Sequence, residues 1–392
     1  MKGITTLLAI LALGTAAYAE DSPSQVRADP PPQEGDRPLR VGLYVDCGSR
    51  SNGWAAWLRL LHSSPQIAPV LLDGGRIRDG ALGEIDILVV PGGSSAKQGK
   101  SLAAAGRSAV TNWLASGGRY FGTCAGCSLL LNRPNGPNLR ILPYVRDPAT
   151  PKGGSDMLMV EVSAQGEAAT GIRAGIHPMR YHSGPVLVPT NPVPGTDVEV
   201  FARWHTDYRT CAGASARMDG TPALLCGTHG KGRLFVTNGH PEHFPRTRDF
   251  IEAGFRYLAG VKPTFSTPTR KRGALCVGFY TQCVSGIESA EGFLALDRDE
   301  AFDVTPVQDD DITAGILDRL DAIVLPCGDG QEYPKHLPAL VPYLGDFAKR
   351  GGSIVAWGEG STALHGIVPA LPGASDVRDD AAAMETLNSL VK

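Results

Sequence analysis

Three strand-like blocks of this chain recur in order at an almost constant spacing. "LRVGLYVDC", ending at Cys47, is echoed by "ALCVGFYTQC", ending at Cys283, 236 residues on. "DILVVPGGSS" from Asp86 is echoed by "DAIVLPCGDG" from Asp321 at 235, and "GGRYFGTCAGC" from Gly117 by "GGSIVAWGEGS" from Gly351 at 234. Chance similarity between buried strands gives one such match. Three in order at one spacing indicate an internal duplication. The echo stops near residue 370, nothing repeats residues 155–260, and Gly358 stands where the first block has Cys124. The second copy is therefore expected to be truncated and to lack that cysteine.

Between these blocks the pattern alternates. Buried strands such as "IDILVVPGG" are followed by amphipathic stretches such as "GWAAWLRLLHSS", with Trp54, Trp57, Leu58 and Leu61 on one face. Strands alternating with helices predict a parallel sheet covered on both faces. The expected fold class is α/β, a flavodoxin-like, doubly wound, mostly parallel sheet. Residues 155–240 differ: short strands such as "DMLMVEVSA" and "DVEVFARW" are separated by Gly and Pro turns, with "HGKG" as a hairpin turn. The expected organisation is a first domain over 39–262, a linker over 263–272 and the truncated copy over 273–392.

The ends carry their own signals. "MKGITTLLAILALGTAAYAE" has a Lys2 n-region, an apolar stretch and a small-x-small end at Ala17–Ala19, the pattern of a secretory signal over residues 1–19. The apolar run is short of the ~20 residues that span a bilayer. A Pro-rich leader, residues 20–38, follows. The expected location is periplasmic or extracellular, with no membrane association after cleavage. A net charge of −3 and the lack of a basic stripe argue against nucleic acid. The eight cysteines have no framework spacing. Cys226 and Cys276 lie in apolar runs, as small buried hydrophobes do.

"YFGTCAGCSLLL" is the stretch where chemistry is expected. Gly122-x-Cys124-x-Gly126 between a strand and a helix is a nucleophile on a sharp turn, with small flanking residues that let the turn form. The helix start favours a thiolate. The N–H of Ala125 and a neighbouring glycine loop, Gly92 or Gly93 of "PGG", would hold an oxyanion. "LFVTNGHPEHF" places His240 just beyond a strand with Glu242 two residues later, on the same side of an extended segment. That pair supplies a base and the acid that orients it. The Cys47 loop, Cys127, Tyr181 and His182 are candidates for the rim of a pocket, the last two in the "RYHSGP" segment, read as a loop.

The order PGG, GTCAG and HPE resembles the glutamine amidotransferase-like superfamily with its Cys–His–Glu triad. More narrowly, "VVPGGS" with "GGRYFGTCAGCSLLL" is similar to the domain at the N-terminus of eukaryotic biotin–protein ligases. The resemblance covers about residues 39–262. It implies Cys124 as nucleophile, His240 as base, Glu242 as orienting acid, and Gly92 or Gly93 with Ala125 as oxyanion donors. Nothing resembles the biotin-transferring catalytic domain or an ammonia-accepting synthetase. The expected function is therefore a cysteine-dependent amide hydrolase or acyl transferase acting on a small-molecule or peptide amide, with no cofactor and no metal. Three alternatives stay open. One is a binding or scaffold protein with a vestigial triad. Another is a thiol–disulfide oxidoreductase using Cys124-x-x-Cys127. The last is a zinc site from Cys124, Cys127, His240 and His243.

Overall fold

The computed structural model describes residues 7–8, 37–49, 51–150, 155–209, 215–267, 271–283, 286–326, 328, 332–356 and 360. The signal and leader expected over 1–38, apart from Leu7–Leu8 and residues 37–38, lie outside the described residues. So do Cys211, Cys327, Gly358 and the end of the expected copy. Among the described residues, one compact unit comprises 37–49 and 56–267, and a second comprises 7–8, 51–55 and the residues from 271 on.

In the first unit, Leu39–Tyr44 (β1), Ile67–Leu72 (β2), Ile87–Val90 (β3) and Arg119–Thr123 (β4) alternate with helices, including Ala103–Ala115 (α2) and, from Ala56 on, Ser51–His62 (α1). The short helix Ala125–Leu129 (α3) follows β4 directly. Beyond it come Ser155–Val162 (β5), Gly175–His182 (β6), Thr196–Trp204 (β7), Pro222–His229 (β8), Gly232–Thr237 (β9) and the helix Arg248–Ala259 (α4). All nine strands form one sheet in the order β2-β1-β3-β4-β9-β8-β7-β5-β6. The five strands from β2 to β9 are parallel, and the remaining four pair antiparallel.

Physical reasons for the two halves are visible in the side chains. β3 reads ILVV with every residue buried, as a strand covered on both faces must be. β5 alternates exposed and buried residues, with Met157, Met159 and Glu161 outward and Leu158, Val160 and Val162 inward. The "HGKG" segment makes the β8–β9 hairpin turn, closed by the pairing of His229 with Gly232. One face of the sheet is covered by a cluster that includes Leu88, Val90, Leu114, Tyr120, Cys127, Leu130 and Val236. On the other face Phe121 meets Trp57, Phe235 and Phe255 in tilted and edge-on contacts. Residues up to Thr267 pack with this unit: the Thr264 N–H donates to Gln66 Oε1 and the Ser266 N–H to the Ser63 carbonyl.

"RYHSGP" is not the loop expected. Tyr181 and His182 end β6, an eight-residue strand paired along its length with β5, and only Ser183 onward turns away. Pro178 is tolerated because β6 is the edge strand of the sheet.

The second unit is built on Leu275–Tyr280 (β10), Phe302–Val307 (β11), Ala322–Leu325 (β12) and Ser353–Ala356 (β13), with helices Ile287–Arg298 (α5) and Tyr333–Lys349 (α6) between them. The strands are parallel in the order β11-β10-β12-β13, and Leu7–Leu8 pairs beside β13. That is the order in which β2, β1, β3 and β4 lie in the first unit. Among the described residues no helix is long and apolar enough to cross a membrane.

Candidate active site

The C-terminal ends of β4 and β9 are neighbours, with Thr123 in register with Thr237. One further backbone bond, from the Cys124 N–H to the Thr237 carbonyl (2.9 Å), carries the pairing into the turn. The chain then reverses sharply at Cys124, which has φ 49° and ψ −100°. A left-handed φ at a non-glycine residue costs on the order of 1–3 kcal/mol and persists only where the surroundings over-determine it. Here they do. A Cβ on Gly126 would lie 2.1 Å from the Val90 carbonyl oxygen, and one on Gly122 would lie 2.6 Å from Tyr120 Cε1. The Tyr120 hydroxyl donates to the Gly126 carbonyl (2.8 Å) and locks the turn from below. Both elbow glycines are needed for close approach.

His240 arrives from β9. Asn238, wholly buried, donates to the carbonyls of Pro185 (2.8 Å) and Pro222 (2.9 Å) and accepts from Trp204 Nε1 (3.0 Å), which fixes the strand end. The His240 N–H then donates to the Arg180 carbonyl of β6 (2.9 Å). Its side chain places Nδ1 2.8 Å from Glu242 Oε1. Glu242 is the middle residue of a short 3₁₀ turn, Pro241–His243, in place of the extended segment expected, and its side chain is fully buried. Thr123 Oγ1 stands 3.5 Å from the same carboxylate oxygen, with Trp57 Nε1 3.5 Å behind it, two long contacts that back the acid from β4 and α1.

Electrostatics follow from burial and company. Burial opposes a charge on His240, but Cys124 and Glu242 outweigh it and push its pKa up to about 10. Burial would raise Glu242, yet His240 brings it below its ordinary range. His243, partly buried beside them, is pushed down to about 3, chiefly by desolvation, and is neutral. His240 Nε2 is buried without a hydrogen bond of good geometry, although Cys124 lies close enough to raise the affinity of the ring for its proton. In this arrangement the thiol points instead to the His182 carbonyl oxygen, 3.5 Å away.

The expected oxyanion donors surround the same point. A Cβ on Gly92 would lie 2.5 Å from His240 Cε1 and 3.4 Å from Cys124 Cβ, so Gly92 sits between nucleophile and base. Gly93 has φ 140°, a conformation open to glycine, and bridges Ser49 in the turn after β1. Among the described residues, the N–H groups of Gly92, Gly93 and Ala125 have no protein acceptor.

Other candidates fall elsewhere. Cys127 is completely buried in the apolar cluster under α3, and burial drives its thiol far above the ordinary range. It lies beneath the site, not on its rim. Tyr181 is also fully buried, donating to the Gly184 carbonyl (2.8 Å) and packed on Trp204 and Tyr208. It supports the His182 turn from inside. His182 does reach the site, its ring 6.2 Å from that of His240. Cys47 belongs to the turn after β1, where its N–H donates to Asp46, a carboxylate also bonded by Gly74 N–H and Ser101 Oγ. Cys124, Cys127 and Cys226 are free thiols. The four zinc ligands expected together are not assembled, because Cys127 faces the core. The group that could hold an ion is His240, Glu242 and His243, with ligand atoms all within 4.8 Å of one another. His243 gave one sequence signal, its place in "HPEH". Thr123 and Trp57 gave none.

No protein-family model matches the chain, and no curated protein matches it. Solved structures do. A putative ThuA-like protein from Bacteroides uniformis is 14% identical over 58% of this chain and 95% of its own, with a TM-score of 0.42. A beta-galactosidase from Bacillus circulans sp. alkalophilus is 13% identical over 59% of this chain, with a TM-score of 0.36, and the match spans 32% of that enzyme. A beta-galactosidase from Rahnella sp. R3 is 16% identical over 56% of this chain and 31% of its own, with a TM-score of 0.34. The chain is a mixed α/β protein with a large central sheet, parallel where the cluster sits.

Proposed function

We propose that the first unit is a glutamine amidotransferase-like domain of flavodoxin-like topology, and that it hydrolyses or transfers the acyl group of a small-molecule or peptide amide through Cys124, His240 and Glu242. One observation carries this: a cysteine held at a left-handed φ on a strand–helix junction faces a histidine whose far nitrogen is bonded to a buried carboxylate. Glu242 fixes the tautomer and steadies the imidazolium, His240 takes the Cys124 proton, and the sulfur attacks the amide carbon. The oxyanion settles on the Ala125 N–H and that of Gly92 or Gly93. His240 then gives its proton to the leaving amine, and water releases the acyl group by the reverse path. The strand order β2-β1-β3-β4-β9 through the parallel half of the first unit supports the topology, since ligands in such sheets bind beyond the carboxyl ends of the strands.

We further propose that residues 273–392 descend from a duplication of this unit, supported by the shared strand order, and that the chain is exported. The second proposal rests on residues 1–19 alone, and the N-terminal mass of the mature protein tests it. A retained Met1 would refute cleavage after Ala19.

Iodoacetamide mapping by mass spectrometry on the reduced protein tests the chemistry. Cys124 is expected to label faster than Cys47, and His240→Ala to slow it. Equal rates at Cys124 and Cys47 would defeat the activated-nucleophile reading. A binding protein with a vestigial triad is favoured by one observation: Cys124 is only 5% exposed and His240 only 6%. The same labelling decides, because a closed and inactive site leaves Cys124 the slower of the two.

A further inference from the structure

We propose that His240 Nδ1, Glu242 Oε1 and His243 Nε2 form a binding site for a divalent transition-metal ion of the zinc type, and that ion binding and thiol chemistry exclude each other. The binding half stands on the geometry alone. The exclusion half rests on the triad function proposed above.

Around a tetrahedral zinc ion with ligands at ~2.0–2.2 Å, donor atoms lie about 3.4 Å apart. The carboxylate oxygen here is 2.8 Å from His240 Nδ1 and 3.7 Å from His243 Nε2, which brackets that separation. The 3.7 Å contact is too long for a hydrogen bond. His243 therefore turns a ring nitrogen toward the carboxylate without bonding it. Glu242 supplies an independent sign. Its side chain is fully buried, and its second oxygen, Oε2, has no hydrogen-bond partner. Buried carboxylate oxygens without partners are rare and costly. A dication on Oε1 would neutralise the carboxylate to which that oxygen belongs. Two imidazoles and one carboxylate are also the donor set of an open zinc site that keeps a place for water. Arg180 and His182 act on His243 through charge and oppose a cation, but the Arg180 Nε is turned away to Ser155 Oγ (2.9 Å).

Binding sends the His240 Nδ1 proton to solvent, and the metal takes the lone pair it leaves. Nε2 takes up a proton from solvent in exchange, so the ring stays neutral and carries its proton on the nitrogen that must accept from Cys124. A metallated His240 is a donor toward the sulfur and cannot be its base.

The test uses the full chain and Zn²⁺ in competition with a chromophoric chelator. Wild type and Cys124→Ser should each bind one equivalent. His243→Ala and the ring-conserving His243→Phe should bind at least ~10-fold more weakly. In ¹⁵N-histidine spectra of the wild type, Zn²⁺ should fix the His240 proton on Nε2. Wild-type affinity in both His243 variants, loss of binding in Cys124→Ser, or no binding by wild type would each overturn the site, the second result assigning the ion to sulfur. Metal-free labelling of Cys124 reports the triad separately. A slow Cys124 in a chain that still binds Zn²⁺ sinks the catalytic reading and leaves the ion site standing.

Discussion

Substituting Gly92 by alanine perturbs the proposed chemistry without removing any reacting group. The new Cβ would lie 2.5 Å from His240 Cε1 and 3.3 Å from its Nδ1. Ordinary carbon contacts begin near 3.5 Å, so the ring must retreat by about 1 Å or the loop must move by as much. The backbone at Gly92 has no left-handed φ, so alanine is not excluded there by conformation. Overpacking of this kind costs ~1–3 kcal/mol, which leaves a folded protein with a lower urea midpoint. Displacing a reacting group by about 1 Å costs ~10²-fold in rate. The assay is the pseudo-first-order labelling of Cys124 by iodoacetamide between pH 5 and pH 10, on the order of a 10²-fold loss being expected near pH 7. If Gly92→Ala folds and labels at the wild-type rate with an unchanged profile, Gly92 does not lie between nucleophile and base, and the assignment of His240 as base fails with it.

Other perturbations sort the remaining roles. His240→Ala should remove ~10²–10⁴-fold of any amide-hydrolysing activity, whereas Cys127→Ala should leave it largely intact; a redox protein would invert that ranking. Gly126→Ala drives a Cβ to 2.1 Å from the Val90 carbonyl, so its denaturation midpoint should fall further than that of Gly106→Ala, whose Cβ meets ordinary contacts at 3.4 Å; equal losses would refute the close approach. His240 is raised from 6.5 to about 10, so its charge contributes stability fully present below pH 6.5 and lost as pH climbs toward 10. Glu242 is lowered from 4.5, so its contribution is present above pH 4.5 and lost on acidification. Urea midpoints of wild type and His240→Asn should therefore converge on the alkaline side, and parallel curves from pH 6 to pH 10 would contradict the assignment.

Local chemistry made the elbow legible in the sequence. Gly122, Cys124 and Gly126 lie within five residues, and each constraint on them comes from a strand or helix that the hydrophobic pattern already marks. His240 and Glu242 were legible for the same reason, being two residues apart just past a strand. The failures are long-range. Tyr181 and His182 read as loop because Ser183–Pro185 carry turn chemistry and Pro178 breaks a strand pattern, while pairing with β5 decides the outcome. Cys127 looked like part of a functional pair because spacing says nothing about which side of α3 faces Tyr120 and Val90. The acid's support from Thr123 and Trp57 joins three distant stretches, and no local pattern announces it.

The pairing of Thr123 with Thr237 has a consequence for how such a chain can be rebuilt. Nucleophile and base leave adjacent strands one residue and three residues past a shared rung, so their separation is metered by the ladder and not by the chain joining them. The hairpin turn between His229 and Gly232 closes well away from that rung, at the opposite end of β9. New termini opened there, with the old ends joined elsewhere, would leave the rung and both short exits untouched. A permuted chain of this kind would carry the nucleophile and the base in reversed order while keeping their geometry, so the order of the motifs along the sequence is an accident of where the chain begins.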